Sequence, residues 1–228
     1  MSISKEIIAI NNELPSSARL VAVSKFHPAQ AIEEAYAAGQ RIFAESRPQE
    51  LLSKVQRLET IRAERGEPDY MSDIEWHFIG HLQTNKLKMV LPFVSLVQSV
   101  DSVRLLDAIE TWAAANDKVI KVLLEPHVAA EESKQGFEPS EIADVLSHAA
   151  DYPHVRFKGL MGMATFTDDL SVVEGDFAAI KALYDECLQS YPSLTADFTE
   201  LSIGMSDDYP VAIRYGSTMV RIGSMIFG

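Results

Sequence analysis

Short apolar segments alternate with longer amphipathic segments along the whole chain of 228 residues. Several of the short segments are β-branched and apolar on both faces, which is typical of strands buried between two layers of structure. The pattern predicts eight strands, which are Arg19–Ser24, Arg41–Ala44, Trp76–Ile79, Val94–Ser99, Val119–Leu124, Phe157–Met163, Glu200–Ile203 and Met219–Ile222.

The segments between the predicted strands have helical periodicity. One of them, AQAIEEAYAAG, has an alanine-rich face and ends at Gly39, a residue type that commonly terminates helices. Pro48 and Pro139 stand where the first turns of two other helices are expected. Strands that alternate with helices predict an α/β fold, a single TIM-type (β/α)8 barrel. A doubly wound open sheet is the alternative, because periodicity does not show whether a sheet closes.

No Pro-, Gly- or Ser-rich linker and no low-complexity tract divides the chain, so residues 1–228 are interpreted as one domain. Little sequence follows the last predicted strand, which leaves no full eighth helix. The helical segment Ser4–Leu14 is therefore expected to close the barrel in its place.

The composition limits the function further. A hydrophobic content of 47% is enough for a large core. The 33 acidic residues outnumber the 20 basic ones and give a net charge of −13, which argues against a nucleic-acid partner. No apolar run approaches the roughly 18 residues of a membrane span, and the N-terminus lacks a signal-peptide pattern. The single cysteine, Cys187, suits a reducing compartment, so a cytoplasmic location without membrane association is expected.

Polar residues follow several predicted strands, and in parallel α/β folds the functional site forms where strands end. These residues are Lys25, Glu45, Ser46, Gly80, His81, Ser206 and Gly223. Lys25 directly follows the apolar segment LVAVS. It is interpreted either as a surface lysine or as a partly desolvated amine whose neutral form attacks an aldehyde. The local sequence does not decide between the two.

The C-terminal segment LSIGMSDDYPVAIRYGSTMVRIG concentrates hydroxyls, glycines and arginine around two predicted strand ends. Ser206, followed by two aspartates, resembles a helix N-cap. Ser217 and Thr218 form a tight entry into the last strand, and Gly223 ends it, where backbone can approach an anion closely. Arg221 lies inside an otherwise apolar strand, so its guanidinium is expected to have a buried partner, either an anion or an aromatic heteroatom.

The histidines do not support a metal site. The six of them show no HxH spacing and no Cys/His spacing, so no metal is expected. His77, inside WHFIGHLQTNK, is interpreted as a core histidine, and His81 is better placed to face a cavity. The chain also has no GxGxxG, Walker A or GxSxG motif.

Five motifs resemble those of the pyridoxal phosphate homeostasis protein family, and they occur in order between about Leu20 and Gly228. They are VAVSK, WHFIGHLQTNK, KGLM, LSIGMSDD and GSTMVRIG. This family is similar to the barrel domain of bacterial alanine racemase, so the resemblance implies an alanine racemase N-terminal-domain-like barrel. It also implies that the chain binds pyridoxal 5′-phosphate (PLP) as a Schiff base on Lys25.

The resemblance implies roles for other residues as well. Arg221 would approach the pyridine nitrogen, and the phosphate would be held near the last strand. Ser46 stands where the family usually has asparagine, so one hydrogen bond near the cofactor is expected to be lost or taken by water. The expected cofactor contacts are Lys25, Ser46, His81, Ser206, Ser217, Thr218, Arg221, Gly223 and Ser224, with Ser206, Gly223 and Ser224 at the phosphate.

The function implied by the resemblance is vitamin B6 homeostasis: the protein binds PLP and releases it to apo-PLP enzymes, without robust catalysis. One alternative is a PLP-dependent amino-acid racemase, which needs an acid–base group on each face of the substrate Cα. Lys25 serves one face, and related racemases supply the other from a tyrosine in a second domain. Tyr209 and Tyr215 are the candidates here, yet both fall in the last predicted helix. A barrel enzyme for a phosphorylated sugar is the other alternative, and it leaves Lys25 unexplained.

Overall fold

Eight parallel strands pair in chain order and close into one barrel. The computed structural model of the protein describes residues 2–128 and 136–228. The strands are β1 (Arg19–Val23), β2 (Ile42–Glu45), β3 (Glu75–Phe78), β4 (Leu96–Val100), β5 (Ile120–Leu124), β6 (Val155–Met161), β7 (Glu200–Ser202) and β8 (Met219–Ile222). The predicted bounds agree with these to within two residues.

Pairing between the first and last strands closes the barrel. The register of β1 on β8 runs from Arg19 opposite Met219 to Ala22 opposite Ile222. The predicted TIM-type barrel is therefore confirmed, and the open-sheet alternative is wrong.

Helices surround the barrel and begin and end at residues that favour those positions. They are α1 (Ile3–Glu13), α2 (Ala29–Ala37), α3 (Pro48–Arg65), α4 (Leu87–Val90), α5 (Val103–Ala115), α6 (Pro139–Ser147), α7 (Leu170–Ser190), α8 (Tyr209–Arg214) and α9 (Ser224–Phe227), with 3-10 turns at Thr84–Lys86, Ala149–Asp151 and Pro192–Leu194. Pro48 and Pro139 occupy the first turns of α3 and α6, as predicted. Helix α3 ends at Gly66, whose φ of 68° lies in the left-handed region that favours glycine.

Helix α1 packs beside β1, between α2 and α9. The last helix, α9, has only four residues. The N-terminal helix thus covers the part of the barrel that a longer final helix would cover, and the predicted role of Ser4–Leu14 is confirmed. Within residues 2–128 and 136–228, no helix is long and apolar enough to cross a membrane.

The apolar core has two layers, one inside the barrel and one between the strands and the helices. Alternate strand residues fill the barrel; they are Val21, Val23, Ile42, Ala44, Leu96, Leu123, Met161 and Met219. The intervening residues, such as Ala22 and Phe43, face the helices. Because side chains fill the interior, a ligand site is expected at the carboxyl-terminal mouth, where the loops after the strands meet.

The start of α8 differs from the prediction. The helix begins at Tyr209 and its N-cap is Asp208, not Ser206. The Asp208 carboxylate accepts a hydrogen bond from the Met205 N–H at 2.5 Å. The predicted Ser206 cap is wrong because the aspartate closes the preceding turn with its own side chain, so the helix starts later.

Candidate functional site

Lys25 lies at the mouth of the barrel, directly after β1. The ladder with β2 continues to Ser24, whose N–H donates to a β2 carbonyl. Lys25 continues the alternation that points Val21 and Val23 into the barrel, and its side chain is exposed. Its amine lies 5.9 Å from the centroid of the Phe26 ring, and it has no hydrogen bond or ion pair with the residues that the structure describes. The amine is therefore available to a ligand.

A buried ion pair supports the backbone beside Lys25. The Glu45 carboxylate accepts hydrogen bonds from the Lys54 ammonium at 2.5 Å and the Ser24 hydroxyl at 2.6 Å. Lys54 also donates to the Ser24 carbonyl at 2.6 Å. Burial raises the pKa of Glu45, and the contacts with Lys54 and Ser24 act in the opposite direction. Glu45 ends β2 but faces α3, so it lies behind the barrel wall and not in the mouth.

Lys54 supports the backbone at the candidate site, but it lies on α3 and not at the end of a strand. The expectation that site residues follow strands therefore does not identify it, although the sequence contains another signal. Lys54 lies on the apolar stripe of α3, between Leu51 and Leu58, and is buried with them. A lysine in such a stripe predicts a buried anionic partner. Its position along the chain does not show which carboxylate that partner is.

His81 lies in the loop after β3, beside a carboxylate from the loop after β4. Its Nδ1 is 3.0 Å from Oδ2 of Asp101, and both residues line a cavity of about 460 Å³. Because Nδ1 faces Asp101, Nε2 is the ring nitrogen left for another contact. Next to His81, Gly80 packs so tightly that a Cβ would lie 2.0 Å from the Ser46 carbonyl oxygen. This contact joins the loops after β2 and β3. Because His81 lines the cavity, the prediction that it faces one is confirmed.

Arg221 lies inside the barrel on β8 and is 4% exposed. Its Nη1 donates to the carbonyl and hydroxyl oxygens of Ser202 at 2.6 and 2.7 Å, and its Nη2 donates to the Gly162 carbonyl at 2.8 Å. Burial lowers the pKa of Arg221 to about 10, and the carboxylates of Glu125 and Asp208 act in the opposite direction. The guanidinium therefore stays charged at neutral pH.

The loops after β7 and β8 meet at the mouth, next to β1. The Ser224 hydroxyl donates to the Ser206 hydroxyl at 3.0 Å. Gly223 packs against β1, where a Cβ would lie 3.1 Å from the Val23 carbonyl oxygen and force a shift. The structure thus brings Ser206, Gly223 and Ser224 together beside the strand that leads to Lys25.

Ser217 and Thr218 do not join this group. Both precede β8, and residues that precede the strands of a parallel barrel lie at the end opposite to the mouth. The Ser217 hydroxyl donates to the Ile203 carbonyl at 2.7 Å, and the Thr218 hydroxyl donates to the Glu200 carboxylate at 2.7 Å. These hydroxyls stabilise the packing of β8 on β7, so the expectation that they contact a cofactor is corrected here.

The two tyrosines near the C-terminus are held by helices outside the barrel. The Tyr209 hydroxyl donates to the Glu13 carboxylate of α1 at 2.7 Å, and this bond, with burial, raises the Tyr209 pKa to about 12. The ring of Tyr215 packs against Phe177 of α7, with centroids 6.5 Å apart. Neither arrangement directs a tyrosine hydroxyl to Lys25.

This barrel and its mouth define a protein of the alanine racemase barrel class. The family model of the alanine racemase N-terminal domain matches residues 2–228. The solved alanine racemase of E. faecalis shares the fold, with a TM-score of 0.71 and 15% identity over 99% of this chain and 57% of that chain.

Within that class, the chain belongs to the pyridoxal phosphate homeostasis protein family. The human protein of this name is 41% identical over 220 residues, which cover 92% of this chain and 76% of that protein. The Haemophilus influenzae protein is 36% identical over 217 residues, which cover 95% and 87%. PipY of Synechococcus elongatus, solved with PLP bound, has a TM-score of 0.87 and 32% identity, and the match covers 100% of both chains. The resemblance inferred from the five motifs is confirmed.

Proposed function

We propose that this protein binds PLP at the barrel mouth through a Schiff base on Lys25 and serves PLP homeostasis in the cytoplasm. The observation that carries the proposal is the Lys25 amine, which lies at the mouth and has no hydrogen bond or ion pair in the described part of the chain. PipY, a relative solved with PLP bound, supports the choice of ligand. The lone cysteine, Cys187, is buried and suits a cytoplasmic protein.

The chemistry of the surrounding groups fits the parts of PLP. An amine matches an aldehyde, the buried Arg221 guanidinium matches the pyridine nitrogen, and the hydroxyls of Ser206 and Ser224 match the phosphate. Gly223, between these loops, has no side chain to keep an anion from the backbone. The anion site is local, so the net charge of −13 does not oppose it.

Ser46 and His81 are proposed as further contacts, because both lie in loops that follow adjacent strands at the mouth. Asp101 orients the His81 ring through Nδ1, which leaves Nε2 as the ring nitrogen available to contact a ligand. The Ser46 hydroxyl is shorter than an asparagine amide, so a water molecule is proposed to complete its contact.

The properties of Arg221 favour a carrier over an enzyme. PLP, when bound, supplies an aldehyde for covalent attachment and a ring that withdraws electrons. Arg221 has a pKa of about 10, so it keeps its proton at neutral pH and donates a hydrogen bond to the ring nitrogen without protonating it. A ring nitrogen that stays unprotonated withdraws electrons weakly, which limits chemistry at an amino-acid Cα.

Exposure of the mouth favours release of the cofactor to another protein. Phe26, beside Lys25, is 64% exposed, and Lys25 itself is exposed. Both Tyr209 and Tyr215 are engaged by helices, so neither is the second acid–base group of a racemase. We therefore propose apo-PLP enzymes as the recipients.

The proposal is tested by mixing purified protein with PLP and then measuring proton exchange. We expect a visible absorption band and transfer of PLP to an apo-enzyme acceptor. Exchange of the Cα proton of alanine, serine or glutamate with deuterium, followed by NMR, is expected to be far slower than about 1 s⁻¹, an ordinary enzymatic rate.

The Lys25→Ala protein is the control for contaminating enzymes in that experiment. Stereospecific exchange at enzymatic rates, absent from the control, would contradict the carrier role and favour a racemase. Binding of phosphate esters with no visible band on mixing with PLP would instead favour the sugar-phosphate enzyme.

Arg221→Gln is expected to weaken PLP binding by about 10- to 150-fold, because a hydrogen bond from a charged group contributes roughly 1.5–3 kcal/mol. Covalent attachment still occurs at saturating PLP, since Lys25 is unchanged. Absorbance titration measures the affinity, and Arg156→Gln, on an exposed arginine of β6, is the matched control. An unchanged affinity in folded Arg221→Gln protein would place Arg221 outside the site.

A further inference from the structure

The barrel interior contains a chain of four buried polar side chains that ends at Arg221. The Arg221 Nη1 donates to the Ser202 hydroxyl at 2.7 Å, and that hydroxyl donates to Gln98 Oε1 at 2.7 Å. Gln98 Nε2 then lies 2.8 Å from Nδ1 of His77. His77 and Arg221 are 2% and 4% exposed, and Gln98 and Ser202 are fully buried. His77 is therefore a core histidine with a hydrogen-bond partner, as predicted.

The hydrogen bonds of this chain run from Arg221 toward His77. A guanidinium only donates, so the Ser202 hydroxyl accepts from Arg221. The hydroxyl then donates its own hydrogen bond to Gln98 Oε1. The amide group of Gln98 is then oriented with Nε2 toward His77, whose Nδ1 must be unprotonated to accept. Burial lowers the pKa of His77 to about 3, which keeps the ring neutral. The neutral tautomer with its proton on Nε2 is the one that accepts from Gln98.

The same contacts define which donors of Arg221 remain available. Bonds to Ser202 and Gly162 use three N–H groups of the guanidinium. A guanidinium has five N–H groups, so two are left for another acceptor. Nη1 is bonded to Ser202 and Nη2 is bonded to the Gly162 carbonyl, so the guanidinium plane is fixed at two nitrogens. The directions of the two remaining donors are therefore set before any ligand binds.

Stability alone does not account for polar side chains at this place. Gln98 lies among the apolar residues of the barrel interior, with Nε2 3.8 Å from the sulfur of Met219. Replacing a satisfied buried polar group by an apolar one of the same shape is often neutral or stabilising. A polar chain that leads to the one arginine of β8 is instead suited to orienting that arginine.

We infer that Ser202 and Gln98 are positioning residues that hold Arg221 in the orientation in which it meets the PLP ring, with His77 as the terminal acceptor. The inference rests on the proposed function. It predicts that Gln98, which is linked to Arg221 through the Ser202 hydroxyl, influences the cofactor through Ser202.

The test uses Ser202→Ala and Gln98→Met in the full chain, each titrated with PLP and followed by its visible spectrum. Each variant is expected to bind PLP about 2- to 10-fold more weakly, because Arg221 keeps its direct bonds to backbone carbonyls and loses only part of its support. At saturating PLP, the visible band is expected to change in position or shape, because the contact with the ring nitrogen changes. Ser95→Ala, which removes a hydroxyl bonded to the Trp76 carbonyl, is the matched control and keeps both properties.

Thermal unfolding of the PLP-free proteins separates positioning from folding. Gln98→Met or Ser202→Ala protein that melts like the unmodified protein, yet shows the weaker binding and altered band, supports the inference. Unchanged affinity and band in both variants, while Arg221→Gln binds weakly, would overturn it, as would affinity losses that only follow losses of stability. Failure of the unmodified protein to bind PLP would reject the proposed function instead.

Discussion

In Lys25→Ala protein, borohydride reduction is expected to leave no PLP covalently attached. In the unmodified protein, the same treatment is expected to fix PLP on the peptide that contains VAVSKFHPAQ. The reason is that borohydride converts a Schiff base into a stable bond, and the Lys25 amine at the mouth has no hydrogen bond or ion pair with the described residues. Peptide mapping by mass spectrometry measures the label.

The fold of the Lys25→Ala protein is expected to be intact. The side chain is exposed and outside the core, so its loss changes the free energy of unfolding by no more than about 0.5 kcal/mol. Lys88→Ala, which removes an exposed lysine of α4, is the matched control and retains the label. Label on Lys86 or Lys134 of the unmodified protein would show that the assignment of Lys25 is wrong.

Lys54→Met is expected to lower the free energy of unfolding by about 3–5 kcal/mol, because it leaves the Glu45 carboxylate buried without its cation. Urea unfolding at neutral pH measures this loss. Lys181→Met is the matched control: Lys181 pairs with Asp185 on the half-exposed surface of α7, where such a pair contributes at most about 1 kcal/mol. Equal, small losses in the two variants would contradict the importance of the buried pair.

The Lys54→Met loss should also depend on pH. Burial raises the pKa of Glu45, so the folded state binds the proton more tightly than the unfolded state, and stability falls as pH rises from the ordinary carboxyl pKa through the raised one. Lys54 opposes this shift, so its removal raises the pKa further and enlarges the loss at neutral pH. Acidification to about pH 5 should therefore restore part of the stability of Lys54→Met relative to the unmodified protein. A loss that is the same at both pH values would argue that Glu45 is already neutral.

The ion pair and the proposed site are connected through the backbone. Lys54 donates to the carbonyl of Ser24, the residue directly before Lys25, and Glu45 accepts from the Ser24 hydroxyl. The end of β1 is thereby held by its neighbour strand and by α3 at once. The proposed covalent carrier would need this rigidity, because the Lys25 amine has no hydrogen bond of its own to fix it.

Much of the fold follows from local patterns in the sequence. Burial on one or both faces leaves a periodicity in each segment, so the eight strands were predictable to within two residues. Pro48 and Pro139 marked helix starts because proline lacks the N–H that a first turn does not need. The position of Lys25 after an apolar run, and of Arg221 inside one, identified two residues whose charges needed an explanation. The motif resemblance then implied PLP as a common ligand for both.

Only the tertiary structure decided which of these residues meet. Closure depends on the pairing of β1 with β8, at opposite ends of the chain. The partner of Lys54 and the chain from His77 to Arg221 depend on strands and helices far apart in sequence, which no periodicity records. Ser217 and Thr218 belong to the same motif as Arg221, yet they lie before the strand and not at its carboxyl end. Local sequence determines which face of a segment is buried, whereas the barrel determines which distant side chains share its mouth, because parallel strands place their starts and ends on opposite sides.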